Sequence, residues 1–99
     1  MNDPAQAPWD EPPARWNHYV DHGRGVGAAS EREYDESARE TIRRGIRFEY
    51  RERNGVLRVG YYDRMRGFFT GMESDESRIT THYAAGEAYV RRLRDSTYR

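Results

Sequence analysis

An α+β fold, with two N-terminal helices packed on a four-stranded, mostly antiparallel sheet and a short C-terminal helix, follows from three features of this 99-residue sequence. Between Ser30 and Gly45 the apolar residues recur with the 3.6 period of a helix. From Ile46 onward the period drops to two, with Asn54-Gly55 between two alternating runs. The helical segments precede the strands instead of separating them, which is the order of an α+β domain and not of a parallel βαβ unit.

Residues 1–14 hold all four prolines together with Asp3, Asp10 and Glu11, and show no periodicity. They predict a flexible, Pro-rich acidic arm, disordered or hugging the surface, with Trp9 as its one anchor. Residues 15–99 then form a single domain. In the first helix, over 15–23, Trp16, Tyr19 and Val20 fall at i, i+3 and i+4. That stripe is expected to be buried, with His18 and His22 presented as a pair four residues apart and Gly23 as the stop. The glycines of Gly23-Arg24-Gly25-Val26-Gly27 read as a turn, because no strand precedes them and no Gly-Lys-Ser follows.

Ser30 and Glu33 form a capping box, and Tyr34, Ala38, Thr41 and Ile42 mark the buried face of a helix over 30–44. Acidic residues in its first turn and Arg43-Arg44 in its last suit the helix dipole. Ile46, Phe48 and Tyr50 then alternate with Arg47, Glu49 and Arg51, and Leu57, Val59 and Tyr61 define the return strand. Gly67 precedes a third strand, Phe68–Met72, and the polar turn 73–77 leads to a fourth over Arg78–Tyr83. Gly86 ends it, and Ala88–Arg94 predicts the last helix.

Hydrophobic and charged residues are nearly equal, at 35 % and 34 %, so the core is expected to be small and to depend on the 13 % of aromatic residues. No cysteine is present, which excludes disulfides, thiolate metal sites and a thiol nucleophile. No apolar run reaches the length of a membrane span, and Met1–Arg15 lacks the apolar centre of a secretory leader. A soluble protein without a membrane partner is expected. The formal net charge is zero, yet Arg39 to Arg66 holds nine arginines against Glu40, Glu49, Glu52 and Asp63. An excess of five in that stretch suits either a solvated face or an RNA-facing stripe. All seventeen basic residues are arginine, a bias that reads as coding composition more than function.

Two histidines on one helix face fit acid–base chemistry near neutrality, because imidazole titrates there without help. Other readings are a solvated surface pair, or a zinc site if His82 or a carboxylate supplies a third ligand. In order along the chain stand His18-x-x-x-His22-Gly23, Ser30-x-x-x-Tyr34-x-x-x-Ala38, Ile79-x-Thr81-x-Tyr83 and Gly86-x-x-Tyr89. This series, over about residues 15–93, resembles the barnase/EndoU/colicin/RelE-like (BECR) nuclease superfamily, in particular its small polymorphic-toxin and phage-type ribonucleases. The chain departs from that pattern at Val26, where an aromatic is usual, at Tyr83 in place of Phe, and in having His82 inside the strand motif. The acidic arm has no counterpart.

The resemblance implies a metal-independent endoribonuclease toxin without cofactor, acting on RNA, with tRNA among the candidate substrates, and leaving a 2′,3′-cyclic phosphate. It implies His18, His22, Thr81 and Tyr89 as catalytic residues and no metal. Arg64 or Arg66 would neutralise phosphoryl charge, and His82 would join them in binding substrate. If the opposite face of the last strand meets the histidines, Thr80 and His82 replace Thr81. The implied partners are RNA and a cognate immunity protein or antitoxin, and the site of action is cytoplasmic, with delivery inside a larger effector as one route. The alternative reading is a catalytically silent module of the same fold that binds RNA or protein, and a third is an interaction protein with structural histidines.

Overall fold

A computed structural model describes residues 3–11 and 14–96, and its architecture is the α+β arrangement expected. Helix α1 spans Ala14–His22 and α2 spans Glu31–Arg44. Strands β1 (Ile46–Arg51), β2 (Leu57–Asp63), β3 (Phe68–Glu73) and β4 (Ile79–Ala84) follow, then α3 (Glu87–Asp95). The strands lie in sequence order as an antiparallel meander. The ends of the predicted arm and domain, at 1–2, 12–13 and 97–99, lie outside the described residues.

Local chemistry sets the boundaries. Ser30 Oγ accepts the Glu33 amide at 3.1 Å, and Glu33 reaches back to the Ala29 amide, one residue earlier than a symmetrical capping box requires. Tyr34, Ala38, Thr41 and Ile42 are the buried residues of α2, as their spacing predicts. Gly55, in the β1–β2 connection, has φ +87°, a backbone that favours glycine.

The register explains how a chain this polar holds together. Phe48 pairs with Gly60 and Glu49 with Val59, so the apolar residues of β1 and those of β2 point to opposite faces. Both faces are therefore covered. On one, Ile42, Val59, Tyr61, Met72 and Ile79 form a core with Ala5 and Ala7. On the other, Tyr50, Tyr62 and Phe69 pack with Val90, flanked by Phe48, Tyr83 and Leu93. Gly60 makes the second face possible, because a Cβ there would stand 2.6 Å from the Phe69 ring and 2.7 Å from that of Phe48. Val59, Met72 and Ile79 have no exposure left, and burial of each contributes about 1.5–3 kcal/mol.

Two expectations are corrected. The described part of the arm is built into the fold. Ala5 and Ala7 are in the core, the Arg39 guanidinium donates to both their carbonyls, and Trp9 pairs with Ile79 in an isolated parallel bridge beside β4. The apolar stripe of α1 is also not buried: Trp16 is 51 % and Val20 62 % exposed, and no residue of α1 is buried. The helix is rolled so that Tyr19 and the two histidines face the protein, because Tyr19 packs on Tyr34 and His22 on Tyr83.

Candidate functional site

The helix α1 lies along the β4 edge of the sheet, and its inward face carries both imidazoles. Their rings are stacked at 5.8 Å and 21°. Trp9 stacks on the far side of His18 at 6.3 Å, and Tyr83 packs against His22 at 5.4 Å. The helix fixes the spacing, and the arm and β4 hold the two ends of the stack. Thr81 Oγ1 lies 3.2 Å from His18 Nδ1, and the Tyr83 and Tyr89 hydroxyls are hydrogen-bonded at 2.8 Å. Thus His18, His22, Thr81 and Tyr89 come together, with Tyr83 as a fifth member.

Two openings flank the tyrosine pair. One, of about 620 Å³, is lined by His18, Thr80, Thr81 and Tyr50, together with Arg51, Arg53 and Arg58 and the acids Asp10 and Glu52. The other, of about 600 Å³, is lined by His22, Ala84, Ala85 and Gly86. Tyr83 and Tyr89 line both. The register slips between Gly71 and Met72, so that Gly71 pairs with Thr81 and Met72 with Ile79. Thr80 is the extra residue of that bulge, and its hydroxyl is buried without a hydrogen-bond partner.

Burial, and then the neighbouring His22, hold the His18 pKa below the ordinary imidazole value, with Asp21 pulling the other way. His18 is consequently neutral at pH 7. If its Nδ1–H donates to Thr81, Nε2 carries the free lone pair. Burial pushes the Tyr83 hydroxyl well above the usual phenol range, and its bond to Tyr89 adds to this, so Tyr83 remains a proton-bearing donor.

The residues assigned to substrate binding lie elsewhere. His82 is fully buried on the opposite face of β4, between α2 and β3. Its Nδ1 meets Thr70 Oγ1 at 2.8 Å and the Phe69 carbonyl at 3.1 Å, and its Nε2 meets Ser37 Oγ at 2.8 Å. Both nitrogens are committed, which removes it from any substrate surface and from the histidine pair as a third ligand. Among the described residues no three His, Asp or Glu side chains form a group able to hold a metal ion.

Arg66 staples the β2–β3 turn: Nε donates to Asp63 at 2.6 Å, Nη2 to Thr41 Oγ1 at 3.0 Å, and the guanidinium lies over the Phe68 ring. Burial opposes ionisation of Asp63, and the Arg66 hydrogen bonds outweigh it, so its carboxyl sits below the usual range. Arg64 pairs with Glu87 beside α3. Neither arginine lines the openings around the histidines. Sequence reasoning took Tyr83 as a motif position and Trp9 as an anchor without a role for either in the site. The stack they make with the histidines depends on the roll of α1, which helical periodicity does not fix.

No protein-family model, curated protein or solved structure matches the chain. No helix among the described residues is long and apolar enough to cross a membrane.

Proposed function

We propose that this protein is a metal-independent endoribonuclease, a toxin similar in its chemistry to the BECR ribonucleases. The observation that carries the reading is the meeting of two stacked histidines with Thr81, Tyr83 and Tyr89 between two open hollows. In-line cleavage needs a base and an acid on either side of a phosphoryl group, with hydrogen-bond donors toward its oxygens.

His18, neutral and held by Thr81, takes the proton of the ribose 2′-OH as that oxygen attacks phosphorus. The P–O5′ bond breaks, and His22 gives its proton to the departing 5′-oxygen. The products are a 2′,3′-cyclic phosphate and a 5′-hydroxyl. One proton of the Tyr83–Tyr89 pair holds the two hydroxyls together and the other is free to donate to a phosphoryl oxygen. An active ribonuclease endangers the cell that makes it, so a cognate immunity protein or antitoxin belongs to this reading, with cytoplasmic RNA as the target.

The test is incubation of the purified protein with total RNA and with a tRNA pool in EDTA, beside His18→Ala and His22→Ala. Cleavage in EDTA, products ending in 2′,3′-cyclic phosphate, and a loss of about 100-fold or more in each variant are expected. The rising limb of the pH–rate profile should lie below pH 6.5, because the base has a lowered pKa. Cleavage abolished by EDTA would make the histidines metal ligands instead. No cleavage by folded protein would favour the silent binding module, with which the zero net charge agrees.

A further inference from the structure

A further cleft opens on the other side of α3, between that helix and the first residues of β1. Its volume is about 360 Å³, at the small end of ligand sites and enough for one nucleotide unit. Arg47, Arg64, Arg91 and Arg94 line it, with Glu87 as the one acidic lining residue. In a chain of zero net charge this is a local concentration of guanidinium groups, each able to grip a phosphate with two parallel N–H donors. Its floor is apolar, made by Phe48, Tyr62 and Val90, and Ile46 stands beside it 64 % exposed.

The helix sequence builds this cleft. Val90 and Leu93 of α3 pack into the second core, whereas Glu87, Arg91 and Arg94, at i, i+4 and i+7, share another face. The existing ion pairs do not cancel the arginines. Arg64–Glu87 and Arg47–Glu76 are solvent-exposed, Arg94–Asp95 is open at 3.7 Å, and among the described residues Arg91 pairs with no carboxylate. Exposed pairs of this kind are worth little, so they hold the arginines only weakly.

Position decides what the cleft is for. Gly86 lines the hollow that contains His22, and Glu87, the next residue, lines the arginine cleft. Tyr62 floors the cleft and donates its hydroxyl to the carbonyl of Ala85, which lines the hollow, at 2.8 Å. The two openings therefore meet at the first turn of α3. We infer that single-stranded RNA runs from the histidine pair past this turn and that the arginine cleft holds the phosphate and sugar of a nucleotide beyond the scissile bond. The identity of the ligand rests on the ribonuclease reading. In this arrangement Arg64 binds substrate, but at a distance from the reacting phosphate.

The test measures binding apart from cleavage. Fluorescein-labelled oligo(U) of about 12 nucleotides, within the range one such groove accommodates, is titrated by anisotropy against His18→Ala protein. The same protein is compared with added Arg91→Gln/Arg94→Gln, and with the control pair Arg32→Gln/Arg43→Gln on the exposed face of α2. The cleft pair should weaken binding about tenfold and reduce the slope of log K against log salt by about 1.4, whereas the control pair should do much less. Equal loss in both pairs, no loss in the cleft pair, or equally strong competition by an oligoglutamate peptide would overturn the inference, the last by making the cleft a protein-docking surface. Wild-type protein that binds RNA in this pattern yet cuts none would sink the ribonuclease reading and leave the cleft standing. Cleavage with unchanged binding in the cleft pair would do the reverse, and no binding at all would remove both.

Discussion

His18 lies against Thr81 on one side of β4 and His82 is buried on the other, and their surroundings give them different duties. The Phe69 carbonyl can only accept, so Nδ1 of His82 carries the proton, and Thr70, which donates to the Ala38 carbonyl, accepts from it as well. Nε2 is left to accept from Ser37. The neutral ring is thereby satisfied, and burial, opposed by the Phe69 hydrogen bond, lowers its pKa to about 4. In the unfolded chain it returns to its ordinary value near 6.5. Between these values the unfolded state holds a proton that the folded state does not, so stability is complete above pH 6.5 and falls as pH drops toward 4. Urea unfolding at pH 7 and pH 4.5 should differ by about 2 kcal/mol on account of this residue alone. His82→Asn, which keeps a donor for the Phe69 carbonyl but does not titrate, should lose that part of the pH dependence. An unchanged difference in the variant would show that other groups cause it. Carboxyls held low by their partners, such as Asp35 and Asp63, lose stability in the same direction only at lower pH.

Among the elements, α2 was the most legible, because its cap, its acidic start, its buried positions and Gly45 all act within one or two turns of the residue that signals them. The meander was legible for the same reason: Asn54-Gly55 and Gly67 dictate turns locally, and both have left-handed backbones or adjoin one. The arm and the roll of α1 were not, since each depends on residues far along the chain. Composition registers prolines and acids in residues 3–11, whereas Ala5 and Ala7 are buried by the distant Met72 and Ile79. Trp9 shows the coupling: its indole N–H donates to Asp35 at 2.8 Å and its ring stacks on Tyr34 and His18. Trp9→Ala should lower stability by about 2–3 kcal/mol, a fall of roughly 10 °C or more in Tm for a domain of this size. Trp9→Phe, which keeps a stacking ring and loses one hydrogen bond, should cost about 1 kcal/mol. A melting temperature unmoved by Trp9→Ala would mean that the arm detaches without consequence. Of the candidate site, the histidine pair stands out by its spacing, Thr81 and Tyr89 enter only through the family resemblance, and the places of the arginines were not legible, because each is held by an acid, Asp63 or Glu87, whose proximity only the fold creates.

Across the whole molecule, one sheet carries two cores, and the candidate site lies at the β4 edge, where Tyr83 and Tyr50 join it to the second. The central strands β2 and β3 are paired on each side and covered on each face, so their hydrogen bonds open only with the entire fold. Helix α1 has the opposite character. It has no buried residue, exposes Trp16 and Val20, and is held through its histidines, Tyr19 and the Arg15–Glu31 pair. Its local stability must therefore be a fraction of the global value. Native-state hydrogen exchange in low urea should find the amides of residues 18–22 opening with several kcal/mol less protection than those of Val59 to Tyr62. On the ribonuclease reading, cleavage should then decline at urea concentrations below the midpoint at which the sheet unfolds, because losing α1 removes both imidazoles while leaving the cores intact. Coincident loss of α1 protection, sheet protection and cleavage would show instead that the stack of Trp9, His18, His22 and Tyr83 ties the helix to the sheet as one cooperative unit.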